Sequence, residues 1–318
     1  MRATSLKVLA IALLLAAAST PLLAQDWAKA MLEKSPRHRE YVALKHGDRT
    51  VQAFVVYPEV STKAPVIVMI HEIFGLSDWA KEMADELAAQ GFIVVAPDLL
   101  TGVGPNGGGT DSMAQDAVTK AVSGLPADQV TADLNAAADY GKKIPAANGK
   151  LFVAGFCWGG GKSFAFATAR HDPSAAFVFY GTPPADVTAI AAPVYGFYAG
   201  NDMRVNATIP AATEAMKAAG KKYEPITYEG AGHGFMRAGE DPNNTVAANK
   251  TARDESFKRL VSTINKLNAG GSARLQQPSR TVAARTKAKP AATPLCHDMP
   301  SMSETTPTDH PSSPPAHS

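Results

Sequence analysis

Cys157 stands in the run Gly155-Phe156-Cys157-Trp158-Gly159-Gly160, directly after an apolar stretch and before a segment with helical spacing. A nucleophile flanked by glycines between a strand and a helix is the G-x-S-x-G elbow pattern, here with sulfur in place of oxygen. The glycines have a physical reason, because a turn this tight brings the backbone on either side of the nucleophile too close for side chains. At a helix N-terminus, unpaired N–H groups and the helix dipole favour negative charge on sulfur and on a developing oxyanion. A nucleophile of this kind needs a base and an acid to orient it. Asp202 lies in Ala199-Gly200-Asn201-Asp202 and His233 in Gly230-Ala231-Gly232-His233-Gly234-Phe235, each just past an apolar run. A lone aspartate or histidine in a loop is ordinarily a solvated polar residue. These two follow the cysteine in the order nucleophile, acid, base, at the carboxyl ends of expected strands, where open α/β sheets build their sites. The chemistry implied is acyl transfer, with His233 taking the thiol proton and Asp202 fixing the imidazole.

A fourth run, His71-Glu72-Ile73-Phe74-Gly75, follows the apolar stretch 64–70. It would supply the backbone N–H of Ile73 as one oxyanion donor, with that of Trp158 as the other. Glu72 is an unusual neighbour for an oxyanion hole. It reads either as a carboxylate that pairs with the thiol and governs its ionisation or as a solvated loop acid.

The elements that must position these groups alternate. Residues 40–45 and 50–57 read as a hairpin about His46-Gly47-Asp48. Residues 64–71, 92–97, 150–155, 175–180, 193–199 and 223–228 read as strands, several of them apolar enough to be buried on both faces. Helical spacing covers 77–90, with Ser77 as N-cap and Gly91 as stop, and then 127–143, 160–170, 207–219 and 249–268. The alternation predicts an α/β fold, a mostly parallel twisted sheet with helices on both faces. The Gly/Pro-rich stretch 102–109 reads as a mobile loop.

The chain has 318 residues, 45% hydrophobic and 19% charged, with a formal net charge of +2. This is ordinary globular composition, and the charge gives no ground for a nucleic-acid partner. Cys157 and Cys296 are the two cysteines, in neither a disulfide framework nor a zinc-like spacing. Arg2 and Lys7, an apolar run from Val8 to Ala18 and small residues up to Ala24 read as a secretory signal peptide over residues 1–24. The run is short for a membrane anchor, so stable membrane insertion is not expected. The expected location is therefore periplasmic or secreted, in a bacterium. One domain is expected over 25–268. Residues 269–318 are rich in Pro, Ser and Thr and read as a low-complexity tail. The tail's Cys296, His297, Met299, Met302, His310 and His317 are soft metal-ligand types, but a solvated tail is the expected reading.

HEIFG, the PDL at 97–99, GFCWGG, GNDMRV and GAGHGF together resemble the dienelactone hydrolase (carboxymethylenebutenolidase) family of the α/β-hydrolase superfamily, over residues 51–267. The resemblance implies a Cys157–His233–Asp202 triad, a small ester or lactone substrate and no cofactor or metal. It also implies that Glu72 hydrogen-bonds the resting thiol, and that Arg237, four residues after the histidine, binds a substrate carboxylate, with Phe74 beside it. The family's second carboxylate-binding arginine, shortly after PDL, has no counterpart in Leu99-Leu100-Thr101-Gly102-Val103-Gly104. The substrate is therefore expected to differ from a carboxylated dienelactone. A general small-ester carboxylesterase, and a catalytically idle scaffold acting as an envelope binding protein, are the alternative functions. A monomer is expected.

Overall fold

The computed structural model describes residues 25–275; the expected signal peptide at 1–24 and the tail beyond 275 lie outside the described residues. Helix α1 (Asp26–Lys34) leads into the hairpin β1 (Arg39–His46) and β2 (Arg49–Val56), which turns at Gly47 with a φ of 52°. Then follow β3 (Ala64–Ile70), α2 (Asp78–Ala89), β4 (Ile93–Pro97), α3 (Gln115–Ser123), α4 (Ala127–Lys143), β5 (Ala147–Phe156) and α5 (Trp158–Ala169). The chain continues through β6 (Ala175–Phe179), β7 (Val194–Ala199), α6 (Met203–Asn206), α7 (Ile209–Ala218), β8 (Tyr223–Tyr228), α8 (Phe235–Glu240) and α9 (Ala247–Leu275).

The strands form one sheet in the order β1-β2-β4-β3-β5-β6-β7-β8. β1 and β2 are antiparallel to their neighbours and every later pairing is parallel. The expected α/β architecture is thus present. Every residue of β3 is buried, and successive side chains feed opposite faces. Ile67 and Met69 pack with Met83 and Leu87 of α2 and with Leu260 and Ile264 of α9. Val66, Val68 and Ile70 pack with Val130, Leu134 and Ala137 of α4. A second core on that face joins α5 and α7 to β6 and β7. Each fully buried aliphatic side chain contributes about 1.5–3 kcal/mol, so a two-sided β3 anchors the loop that leaves its carboxyl end.

Ser77 caps α2 as expected, accepting from the Ala80 N–H. Four helices were not expected: α1, α3, α6 and α8. The closing helix also runs seven residues past Asn268, so the expected domain boundary falls inside α9. Residues 102–109 are tied down rather than a free loop. Gly102 and Gly104 donate to the Gly108 carbonyl at 3.0 and 2.9 Å. Buried Asp98 accepts from the Thr110 N–H and hydroxyl at 2.8 and 2.7 Å. The aspartate of the PDL segment thus closes the loop.

Candidate active site

β5 ends at Phe156 and α5 begins at Trp158, so Cys157 alone makes the turn. Its φ of 56° and ψ of −117° are a conformation that costs an L-residue on the order of 1–3 kcal/mol. The surroundings enforce it. The Cys157 N–H donates to the Phe179 carbonyl at 3.0 Å, and its own carbonyl accepts from Gly160 N–H at 3.0 Å. A Cβ on Gly155 would overlap the Gly159 carbonyl, and one on Gly159 would overlap the carbonyls of Ile70 and His71. Glycine at both positions lets α5 start against the end of β3.

The two partners arrive from the next strand ends. Asp202 precedes α6, and its Oδ1 accepts from the Val205 N–H at 3.2 Å. Its Oδ2 receives the His233 Nδ1–H at 2.5 Å. The other imidazole nitrogen, Nε2, lies 3.1 Å from Cys157 Sγ. Gly234, with a φ of 76°, swings the chain from His233 into α8, and the Gly232 N–H is held by Asn249 Oδ1 at 2.8 Å. Burial works against a charged His233, but its hydrogen bonds to Cys157 and Asp202 outweigh this and raise it to about 9. The arrangement can take a proton from sulfur and keep it on an imidazolium.

Ile73, Trp158 and Cys157 line one cavity of about 440 Å³. The N–H groups of Ile73 and Trp158 donate to no protein group among the described residues. Both are free for an oxyanion beside the sulfur. The Trp158 ring stacks on buried His71 with centroids 5.7 Å apart. His71 donates from Nδ1 to the Glu72 carbonyl at 2.7 Å, and burial lowers its pKa.

Glu72 departs from expectation. It is neither solvated nor on the thiol. Its carboxylate accepts from Arg237 Nε at 3.0 Å and from the Tyr180 hydroxyl at 3.2 Å, while the thiol is partnered by His233. An arginine charge offers a buried carboxylate more than a thiol already engaged by imidazole. Burial still raises Glu72 above the ordinary carboxylate range, with Arg237 pulling against it. Arg237 stacks over Phe74 at 5.0 Å, and neither lines the Cys157 cavity. Phe74 instead faces a smaller cavity of about 170 Å³ with Thr110 and Met113.

Sequence reasoning missed Tyr180. Its φ of 39° is strained, its ring meets the His233 ring edge-on at 5.0 Å, and it lines the cavity. The signal available was an aromatic residue followed by glycine at a strand end. Lys162 and Arg204, also in the cavity lining, were missed as well, although Arg204 lies inside the GNDMRV run.

The dienelactone hydrolase family model matches residues 51–268. The chain belongs to the dienelactone hydrolase family. It is 33% identical over 202 residues to the "Putative carboxymethylenebutenolidase" of Methylorubrum extorquens, covering 59% of this chain and 69% of that one. It is 28% identical over 211 residues to the carboxymethylenebutenolidase of Pseudomonas putida, covering 62% and 86%. Among solved structures, a dienelactone hydrolase-like promiscuous phosphotriesterase from metagenomic libraries superposes with a TM-score of 0.61. That match has 22% identity and covers 73% of this chain and 98% of that one, so it speaks to the fold alone. As a dienelactone hydrolase family member, the protein is a hydrolase of the carboxylic ester and lactone type.

Proposed function

We propose that this dienelactone hydrolase family member cleaves small esters or lactones through Cys157, His233 and Asp202, with a thioester intermediate. The observation that carries the reading is the continuous hydrogen-bonded line from Cys157 Sγ through His233 to Asp202, beginning at a strained strand-to-helix turn. His233 Nε2 accepts the thiol proton as sulfur attacks the carbonyl carbon. A C–S bond forms, and the carbonyl electron pair moves to an oxygen held by the Ile73 and Trp158 N–H groups. That pair returns, the C–O bond breaks, and the imidazolium protonates the leaving alkoxide. Water, deprotonated by His233, then attacks the thioester and frees both the acid and Cys157. Glu72, Tyr180 and Arg237, with Phe74 beneath the guanidinium, act as positioning groups around the histidine. The proposal extends to an exported monomer: residues 1–24 are a cleaved signal peptide and residues 25–268 carry the hydrolase.

Hydrolysis of p-nitrophenyl acetate and of a panel of lactones by purified wild type and Cys157→Ala tests this. The expected loss in the variant is roughly a thousandfold or more in kcat. A Cys157→Ala protein with wild-type rates would refute the assignment.

A further inference from the structure

His71 is fully buried, and its imidazole Nε2 has no hydrogen-bond partner among the described residues. An unpaired polar atom in the interior costs stability, and an apolar ring of similar shape would avoid that cost. The reason for a histidine therefore lies with its other nitrogen. Nδ1 faces the Glu72 carbonyl at 2.7 Å. A ring nitrogen that faces a carbonyl carries the proton, so Nε2 is the bare one. Burial lowers the His71 pKa and keeps the ring neutral. The Glu72 carbonyl belongs to the same peptide unit as the Ile73 N–H. That unit is planar and trans, so its C=O and N–H point in opposite directions. A carbonyl turned toward buried His71 leaves the N–H on the other side, where Ile73 lines the cavity beside Cys157 and His71 does not. The Gly75 N–H gives the same carbonyl a second, longer hydrogen bond at 3.1 Å. The His71 ring also lies nearly parallel to the Trp158 indole, 10° between planes, and Trp158 supplies the other free N–H.

We infer that His71 is a positioning residue for the oxyanion hole: its Nδ1–H holds the Glu72–Ile73 peptide so that the Ile73 N–H faces the carbonyl oxygen under attack. The inference rests on the hydrolase reading above and deepens it. His71 does not line the cavity, and its ring moves no proton in the reaction. Its influence falls on the steps in which negative charge gathers on oxygen, the attack of sulfur on the ester and of water on the thioester. The ionisation of the thiol belongs to His233 and Asp202 and lies outside it. A ring that merely filled space would make no such division between steps.

Three variants separate the hydrogen bond from the packing. His71→Phe keeps a flat ring against Trp158 without the donor. His71→Leu removes both, and His71→Asn removes the ring but keeps an N–H near the Nδ1 position. Two rates are read on each. Hydrolysis of p-nitrophenyl acetate needs the oxyanion hole. Alkylation of Cys157 by iodoacetamide forms a C–S bond and expels iodide, with no oxyanion. Removing an oxyanion donor outright costs about a hundredfold or more in kcat, and the Gly75 bond remains, so His71→Phe and His71→Leu should lose about tenfold or more in kcat/KM. Their alkylation rate, set by the thiolate, should stay within about twofold of wild type. His71→Asn should recover most of the hydrolysis. Wild-type hydrolysis in His71→Phe or His71→Leu, alkylation that falls in step with hydrolysis, or a His71→Asn protein no better than His71→Leu would overturn the positioning role. With Cys157→Ala inactive, the hydrolase reading would still stand. A Cys157→Ala protein with wild-type rates would sink both.

Discussion

Helix α8 takes part in two assemblies made of similar parts. Near its start, Arg237 holds Glu72, and the Tyr180 hydroxyl supplies a second hydrogen bond to the same carboxylate. At its end, Glu240 joins Glu82 and Glu86 of α2 around Arg253 of α9, and Trp79 Nε1 donates to Glu240 at 2.6 Å. Both have a buried carboxylate, an arginine and an aromatic donor. Both have carboxylates raised by burial, Glu82 to about 8, with Glu86 adding repulsion. Their surroundings differ. Tyr180 lines the cavity and touches the His233 ring, whereas the second assembly is closed in by α2, α8 and α9. A perturbed carboxylate therefore does not mark a reactive site by itself. What separates the two is contact with the cavity and with the hydrogen-bonded pair of Cys157 and His233.

The contrast can be broken by mutation, and the largest expected effect falls on the closed assembly. Arg253→Met removes the ion-pair partner of Glu86 and Glu240 and should destabilise the protein by about 3–5 kcal/mol at neutral pH. Urea denaturation would measure it, and kcat per folded molecule should stay within about twofold. A large drop in kcat at unchanged stability would erase the distinction. Glu72→Gln should do the reverse. It keeps the shape and weakens the hold on Arg237, so kcat/KM should fall about tenfold, roughly 1.4 kcal/mol of transition-state stabilisation, with a smaller stability loss. An altered pH–rate profile in this variant would place Glu72 in control of the reacting groups. An unaltered one would leave it a packing residue.

A further effect is in the pH dependence of stability. Glu82 has a folded pKa raised to about 8 by burial and by Glu86, above an ordinary value near 4.3. Between these values the folded protein holds a proton that the unfolded chain has released, so stability falls as pH rises through that window. Glu82→Gln should flatten the slope there. The same slope in wild type and variant would mean that Glu82 is ionised throughout.

These comparisons also show what could be read in the sequence. The elbow, Asp202 and His233 were legible because each is announced locally, by glycines beside a strand end. The unpaired Ile73 N–H was legible in the run after β3, and that of Trp158 in the elbow itself. Arg237 and Glu72 were legible as residues but not as a pair, because 165 positions separate them. Trp79 and Glu240 are 161 apart, and Arg253 and Glu86 are 167 apart. Only the folded sheet, which returns α8 and α9 beside α2, brings them together. Helix α8 itself was hidden because its six residues follow a glycine-rich loop and are too few to show a period. The stretch 102–109 looked free because glycine composition says nothing of Asp98, which ties it down.

In the proposed reaction Cys157 carries the acyl group. Wild type mixed with excess p-nitrophenyl acetate, quenched in acid during the first turnover and digested for peptide mass analysis, tests it most directly. The expected result is one acetyl group on the peptide containing Cys157, released by hydroxylamine as a thioester is, and none in Cys157→Ala. Rapid hydrolysis with that peptide unmodified, or with the acetyl group on another residue, would contradict it.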